Sequence, residues 1–187
     1  MRKPVYRHPE FVIKTEAERT EDKRYWLKLI IDNSKNESII VILKNPSRAT
    51  KDISDKTVFN VTNYIYKNAG KYKQLKNIGT IIILNLIPNY ETYSEKLLSI
   101  TSGITDKKNL KTIDRFSSRH KNVIIAWGNP PKGLKEEYNK IKEDVLTILK
   151  HNNNDIYYIH KLSALENPKH GQIWAYKDKM IKYIFNN

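Results

Sequence analysis

Three places in the chain set amides and an indole directly behind short apolar runs, and a fourth, farther past its run, adds an imidazole. They read Asn45-Pro46-Ser47, Asn85-Leu86-Ile87-Pro88, Trp127-Gly128-Asn129-Pro130-Pro131 and Asn167-Pro168-Lys169-His170-Gly171. Each contains a proline, which presets φ, cannot continue a strand ladder, and so makes a sharp exit that holds its polar neighbours in place. One such turn is ordinary. Four of them, brought to a common rim, gather two side-chain amides (Asn45, Asn85) and one imidazole (His170) in one cleft, a set that hydrogen-bonds a polar substrate. The chain has no cysteine, which removes thiolate nucleophiles, disulfides, iron–sulfur ligation and Cys-based zinc sites. No metal-ligand spacing is evident, so neither metal nor cofactor is expected, and the phosphate-loop and Gly-rich dinucleotide patterns are absent.

The runs ahead of these exits are SIIVIL (Ser38 to Leu43), TIIIL (Thr80 to Leu84), NVIIA (Asn122 to Ala126) and DIYYI (Asp155 to Ile159). Near-continuous apolarity suits strands covered on both faces, as in a parallel sheet. Helical spacing fills the gaps. Val58, Val61 and Ile65 follow a Ser54/Asp55 cap, Leu110, Ile113 and Phe116 follow Asp106, and Ile141, Val145, Ile148 and Leu149 follow KEE. This alternation predicts an α/β fold, a three-layer α/β/α sandwich around a central four-stranded, mostly parallel sheet, in a single domain over residues 1–187. RYWLKLIID (Arg24 to Asp32) alternates and is expected as an outer strand, with residues 1–23 as a mixed-charge N-terminal segment. In open α/β sheets ligands bind beyond the carboxyl ends of the strands, where the four exits lie.

Thirty-four Lys and Arg stand against twenty Asp and Glu, a formal charge of +14. Such an excess points to a polyanionic partner, nucleic acid first. It is uneven: residues 38–80 carry +6, residues 1–37 only +2. Lys44, Arg48, Lys51, Lys132 and Lys169 surround the exits and suit phosphates on either side of a bound nucleotide. An AT-rich genome, which loads proteins with Lys, Asn and Ile, is the compositional alternative. The opening MRKPVYRHPEF is too polar for a signal peptide, and no apolar run approaches the roughly 20 residues of a membrane span. The expected location is the cytoplasm, away from membranes.

The ordered set LKNPSRATKDISDKT, ILNLI, IIAWG and NPKHG resembles the uracil-DNA glycosylase superfamily. More closely, it resembles a bacterial and phage domain family of unassigned function whose pattern is Asn-Pro-Ser, Asp-x-Thr, Asn-Leu, Ala-Trp-Gly and Pro-x-His. That likeness covers most of residues 24–176. It implies a uracil-DNA glycosylase-like fold and a monomeric, monofunctional hydrolase that flips uracil from single- or double-stranded DNA and leaves an abasic site. A protein inhibitor of such enzymes is a second implied partner. The alternative is a noncatalytic DNA-binding module of the same fold, associated with replication or recombination of a mobile element; a third reading is an enzyme on a free nucleotide or modified base.

Carried over residue by residue, the resemblance places Asn45 where a catalytic Asp or Asn holds water, Asn85 where an amide reads uracil N3–H and O4, and His170 where an imidazole donates to O2 of the leaving base. Phe59 takes the place of the aromatic that stacks on the base. Ser47 replaces a Tyr that closes the pocket against the thymine methyl, which puts discrimination against thymine in doubt. Gly171 replaces the Pro after His and implies a looser loop. Ile173 and Trp174 are candidates to wedge into the DNA stack, with a core wall as the other fate of Trp174. Asp52 and Asp55 are near enough in sequence to supply negative charge, Asp55 being also a natural helix cap.

Overall fold

The computed structural model describes residues 6–47, 49–50, 52–91, 97 and 104–185. Among them the chain forms β1 (Lys14–Arg19), β2 (Arg24–Ile30), β3 (Glu37–Leu43), α1 (Lys56–Asn68), β4 (Ile78–Asn85), α2 (Lys107–Ser117), β5 (Asn122–Ile125), α3 (Lys135–His151), β6 (Asp155–Ile159) and β7 (Met180–Lys182). One sheet runs in the order β1-β2-β4-β3-β5-β6-β7. The α/β class stands, but the sheet has seven strands rather than four. Its six pairings divide evenly: β4-β3-β5-β6 are parallel, while β1-β2, β2-β4 and β6-β7 are antiparallel.

The four apolar runs are the parallel strands, and their continuity has a direct cause. Successive side chains point to opposite faces of a strand, and here both faces are covered. Ile39, Val41 and Leu43 of β3 join one core with Val58, Val61, Tyr64 and Ile65 of α1. Ile40 and Ile42 join the other, with Ile113 and Phe116 of α2 and Tyr138, Ile141, Val145 and Leu149 of α3. No described helix is long and apolar enough to cross a membrane.

The expected N-terminal segment includes an edge strand. KTEAER of β1 lacks an apolar face because its side chains find polar partners: Glu18 accepts from Trp26 Nε1 at 2.8 Å and pairs with Lys108 at 2.7 Å.

The chain order fixes where a cleft can open. β3 leads to α1 on one face of the sheet, whereas the adjacent β5 leads to α3 on the other, so their exits diverge to opposite faces, the topological switch at which open α/β sheets take their ligands. The first residue of β2, antiparallel to β4, lies at this same edge.

Candidate active site

Main-chain bonds lash the first two exits together. Leu86 N–H donates to Leu43 O, Ile87 N–H to Lys44 O (both 2.9 Å), and Glu91 N–H to Pro46 O at 3.0 Å. Across them lies Asn45, whose Nδ2 donates to Glu91 O at 2.7 Å and to Pro46 O at 3.0 Å. Both bonds use the nitrogen, so the carboxamide is held with Oδ1 as the end left to accept from a group in the cleft.

Asn85 is the last residue of β4, opposite Leu43, and its side chain is fully buried with neither Nδ2 nor Oδ1 hydrogen-bonded. A buried polar atom without a partner costs roughly 1–3 kcal/mol, and native structures keep few of them. Its backbone is held firmly all the same. The buried Asn109 of α2 donates through Nδ2 to Asn85 O at 2.8 Å and Leu86 O at 3.0 Å. Asp106 caps that helix by accepting from Asn109 N–H at 2.8 Å, which places Asn109 on its first turn facing the strand end.

The third exit is built around Gly128, with φ at +70°, a region open to glycine and strained for other residues. The Tyr138 hydroxyl donates to Trp127 O at 3.0 Å and reaches Gly128 O at 3.2 Å, fixing the turn from α3. A Cβ on Gly128 would stand 3.0 Å from the His170 Cβ, so the glycine lets the histidine loop close against it. Trp127 is buried, and its Nε1 also lacks a partner.

His170 Nδ1 accepts from Gln172 N–H at 3.2 Å, which leaves the ring proton on Nε2 and makes that nitrogen a donor. Burial first, and then the charge of Lys44, pushes its pKa down to about 4, against an opposing pull from Asp55. The imidazole is therefore neutral at neutral pH. The loop after it is pinned rather than loose. Gly171 is buried, its N–H donates to Ala126 O at 3.2 Å, and a Cβ there would stand 2.7 Å from Val61 Cγ2. A proline would lose that bond and meet that contact, which accounts for the glycine.

Several expected site residues fall elsewhere. Trp174 is a core side chain, edge-on to Tyr64 at 5.2 Å with Nε1 donating to Lys169 O, so burial removes it as a wedge and leaves the exposed Ile173. Lys169 is held by Asp178 at 2.7 Å rather than presented to phosphate. Phe59 is half-buried on α1 against Tyr6, with ring centroids 5.6 Å apart. Ser47 is half-buried, Lys132 exposed, and Lys44 lies 5.8 Å from the Tyr138 ring centre. Asp55 caps α1, accepting from Val58 N–H at 2.8 Å, while Asp52 is exposed. Arg48 and Lys51 lie outside the described residues. No group of three or more His, Asp or Glu among the described residues is placed to hold a metal ion.

Sequence reasoning passed over Asn109, Tyr138 and Lys142, whose Nζ donates at 2.7 Å to Oδ1 of the buried Asn167 in the histidine loop. Asn109 had a faint signal, a polar residue on the inner face of α2 three positions after its cap.

The family profile described as "Protein of unknown function (DUF1643)" matches residues 24–171. The chain belongs to this family. The DUF1643 span opens at the first residue of β2 and closes just after His170, so it encloses Asn45, Asn85, the Trp127-Gly128 turn and His170 and leaves out β1 and β7. No curated protein and no solved structure matches the chain.

Proposed function

We propose that this DUF1643 protein is a uracil-DNA glycosylase with a uracil-DNA glycosylase-like fold, acting on deoxyuridine flipped out of DNA. The observation that carries the reading is the Asn85 carboxamide, fully buried at the carboxyl end of a parallel strand with its donor and acceptor both unspent. Such a pair matches the N3–H donor and O4 acceptor of uracil. Cytosine reverses that pattern and pairs only with the carboxamide turned over, so selection of uracil requires the amide to be held with Oδ1 toward N3–H.

The remaining groups fit the bond to be broken. As the C1′–N1 bond lengthens, its electron pair leaves with the base and negative charge builds on O2, where the neutral His170 donates through Nε2. A preorganised donor of this kind is worth about 3 kcal/mol in the transition state. Water adds its oxygen to the cationic C1′ and its released proton neutralises the departing uracil anion; Asn45 Oδ1 accepts a hydrogen bond from that water and orients it. An amide stabilises the sugar cation less than a carboxylate does, so turnover is expected to be slow.

The test is a labelled oligonucleotide with a single deoxyuridine, single-stranded and duplex, treated with protein and then alkali. Strand cleavage that His170→Gln slows and that folded Asn85→Asp redirects toward cytosine supports the proposal. Retained DNA binding with no cleavage overturns it in favour of the noncatalytic module, a reading favoured by the structural use of Asn45 Nδ2.

A further inference from the structure

Beneath the joined exits of β3 and β4 lies a charge with too few partners. Arg24, the first residue of β2, is 1% exposed. Its Nη1 donates to Ala49 O at 2.8 Å, its Nε has no partner, and the Tyr90 hydroxyl, also buried, has none either. Burial disfavours the guanidinium charge, and the negative charge of Asp55 pulls the other way. Asp55 does not complete an ion pair: its oxygens accept from Val58 N–H at 2.8 Å and Ala49 N–H at 3.3 Å. A buried cation normally survives only with a close, hydrogen-bonded counter-ion.

The place is next to the proposed site. Arg24 N–H donates to Pro88 O, Tyr90 N–H donates to Asp22 O (both 2.9 Å), and the residue after Tyr90, Glu91, is the one that anchors Asn45. The Arg24 Nε and the Tyr90 hydroxyl, both buried and without a hydrogen-bond partner, suit an anionic oxygen, and Arg offers a planar fork that matches phosphate.

We propose that Arg24 and Tyr90 form an oxyanion seat that takes a phosphate oxygen of the substrate nucleotide. This rests on the nucleotide reading above and adds a phosphate requirement to it. The phosphate is either a diester flanking the flipped nucleoside or the terminal group of a free mononucleotide, and the two are separable.

Binding is measured on oligonucleotides whose deoxyuridine carries an uncharged methylphosphonate on its 5′ or 3′ side, and, in a second arm, on deoxyuridine monophosphate against deoxyuridine. Wild type is expected to lose about ten-fold in affinity when the relevant phosphate charge is removed, the scale of one charged hydrogen bond. Tyr90→Phe, which keeps the ring and the fold, should weaken binding to the charged ligand several-fold and lose nothing further from the neutral one, as coupled partners do. Arg24→Lys should behave alike, since it keeps the charge and loses the fork. Coupling in the oligonucleotide arm alone assigns the seat to the DNA backbone; coupling in the mononucleotide arm alone assigns it to a terminal phosphate. Additive losses, or a Tyr90→Phe protein that binds as wild type in both arms, overturn the seat. Absence of uracil release from every substrate overturns the glycosylase reading separately, and the binding arms still decide the seat.

Discussion

Replacing Asn85 by valine is expected to make the protein more stable and at the same time inactive. The side chain stands at the end of the β3–β4 pair, fully buried, with both carboxamide atoms unpartnered. Each such atom forfeits its hydration for roughly 1–3 kcal/mol. Valine removes both penalties, suits a strand, and differs little in size, so minor repacking costs leave a net gain of about 1–3 kcal/mol. At about 2–4 °C per kcal/mol for a chain of this length, the melting temperature rises by about 2–12 °C. The backbone bonds from Asn109 survive, because they use the Asn85 carbonyl. Urea unfolding gives the free energy, and uracil release under single-turnover conditions gives the activity. A valine variant that unfolds at equal or lower urea than wild type would show that the Asn85 amide is satisfied in the resting protein, and the argument that it waits for a ligand would fail.

Two further outcomes follow from the histidine loop. His170 titrates near 4 folded against about 6.5 unfolded, so the unfolded chain binds the extra proton first. Its stabilising contribution is complete above about pH 6.5 and lost as pH falls toward 4, by up to about 3 kcal/mol; His170→Gln should flatten that slope in unfolding titrations. Gly171→Pro, which writes the superfamily dipeptide into this chain, should destabilise it by about 3 kcal/mol or more through the lost bond to Ala126 O and the contact with Val61, and a variant that melts like wild type would contradict that geometry.

The parallel strands and the three described α-helices were legible because each needs an apolar face that recurs at its own period. β1 and β7 were not: KTEAER satisfies its strand with charged partners distant in sequence, and β7 is three residues long. At the site, the ordered exits identified Asn45, Asn85 and His170 as residues of one edge, since strand direction alone carries exits to a common rim. What could not be read was which polar groups consume each other. Lys169 looks available until Asp178 arrives nine residues later, Trp174 is equally a wedge or a core wall until Tyr64 packs on it, and the unpartnered Arg24 Nε and Tyr90 hydroxyl stand out only once the bonds of their neighbours are assigned. Partnership of that kind depends on folded proximity, for which spacing along the chain carries no signal.

The two margins of the sheet are unlike its centre. One is β1, with Lys14, Glu16, Glu18 and Arg19 along it; the other is β7, Met180–Lys182. A charged margin and a stub give little purchase for strand addition by another molecule. The parallel block, whose apolar runs would be hazardous if left open, is thereby insulated from edge-to-edge pairing with another chain.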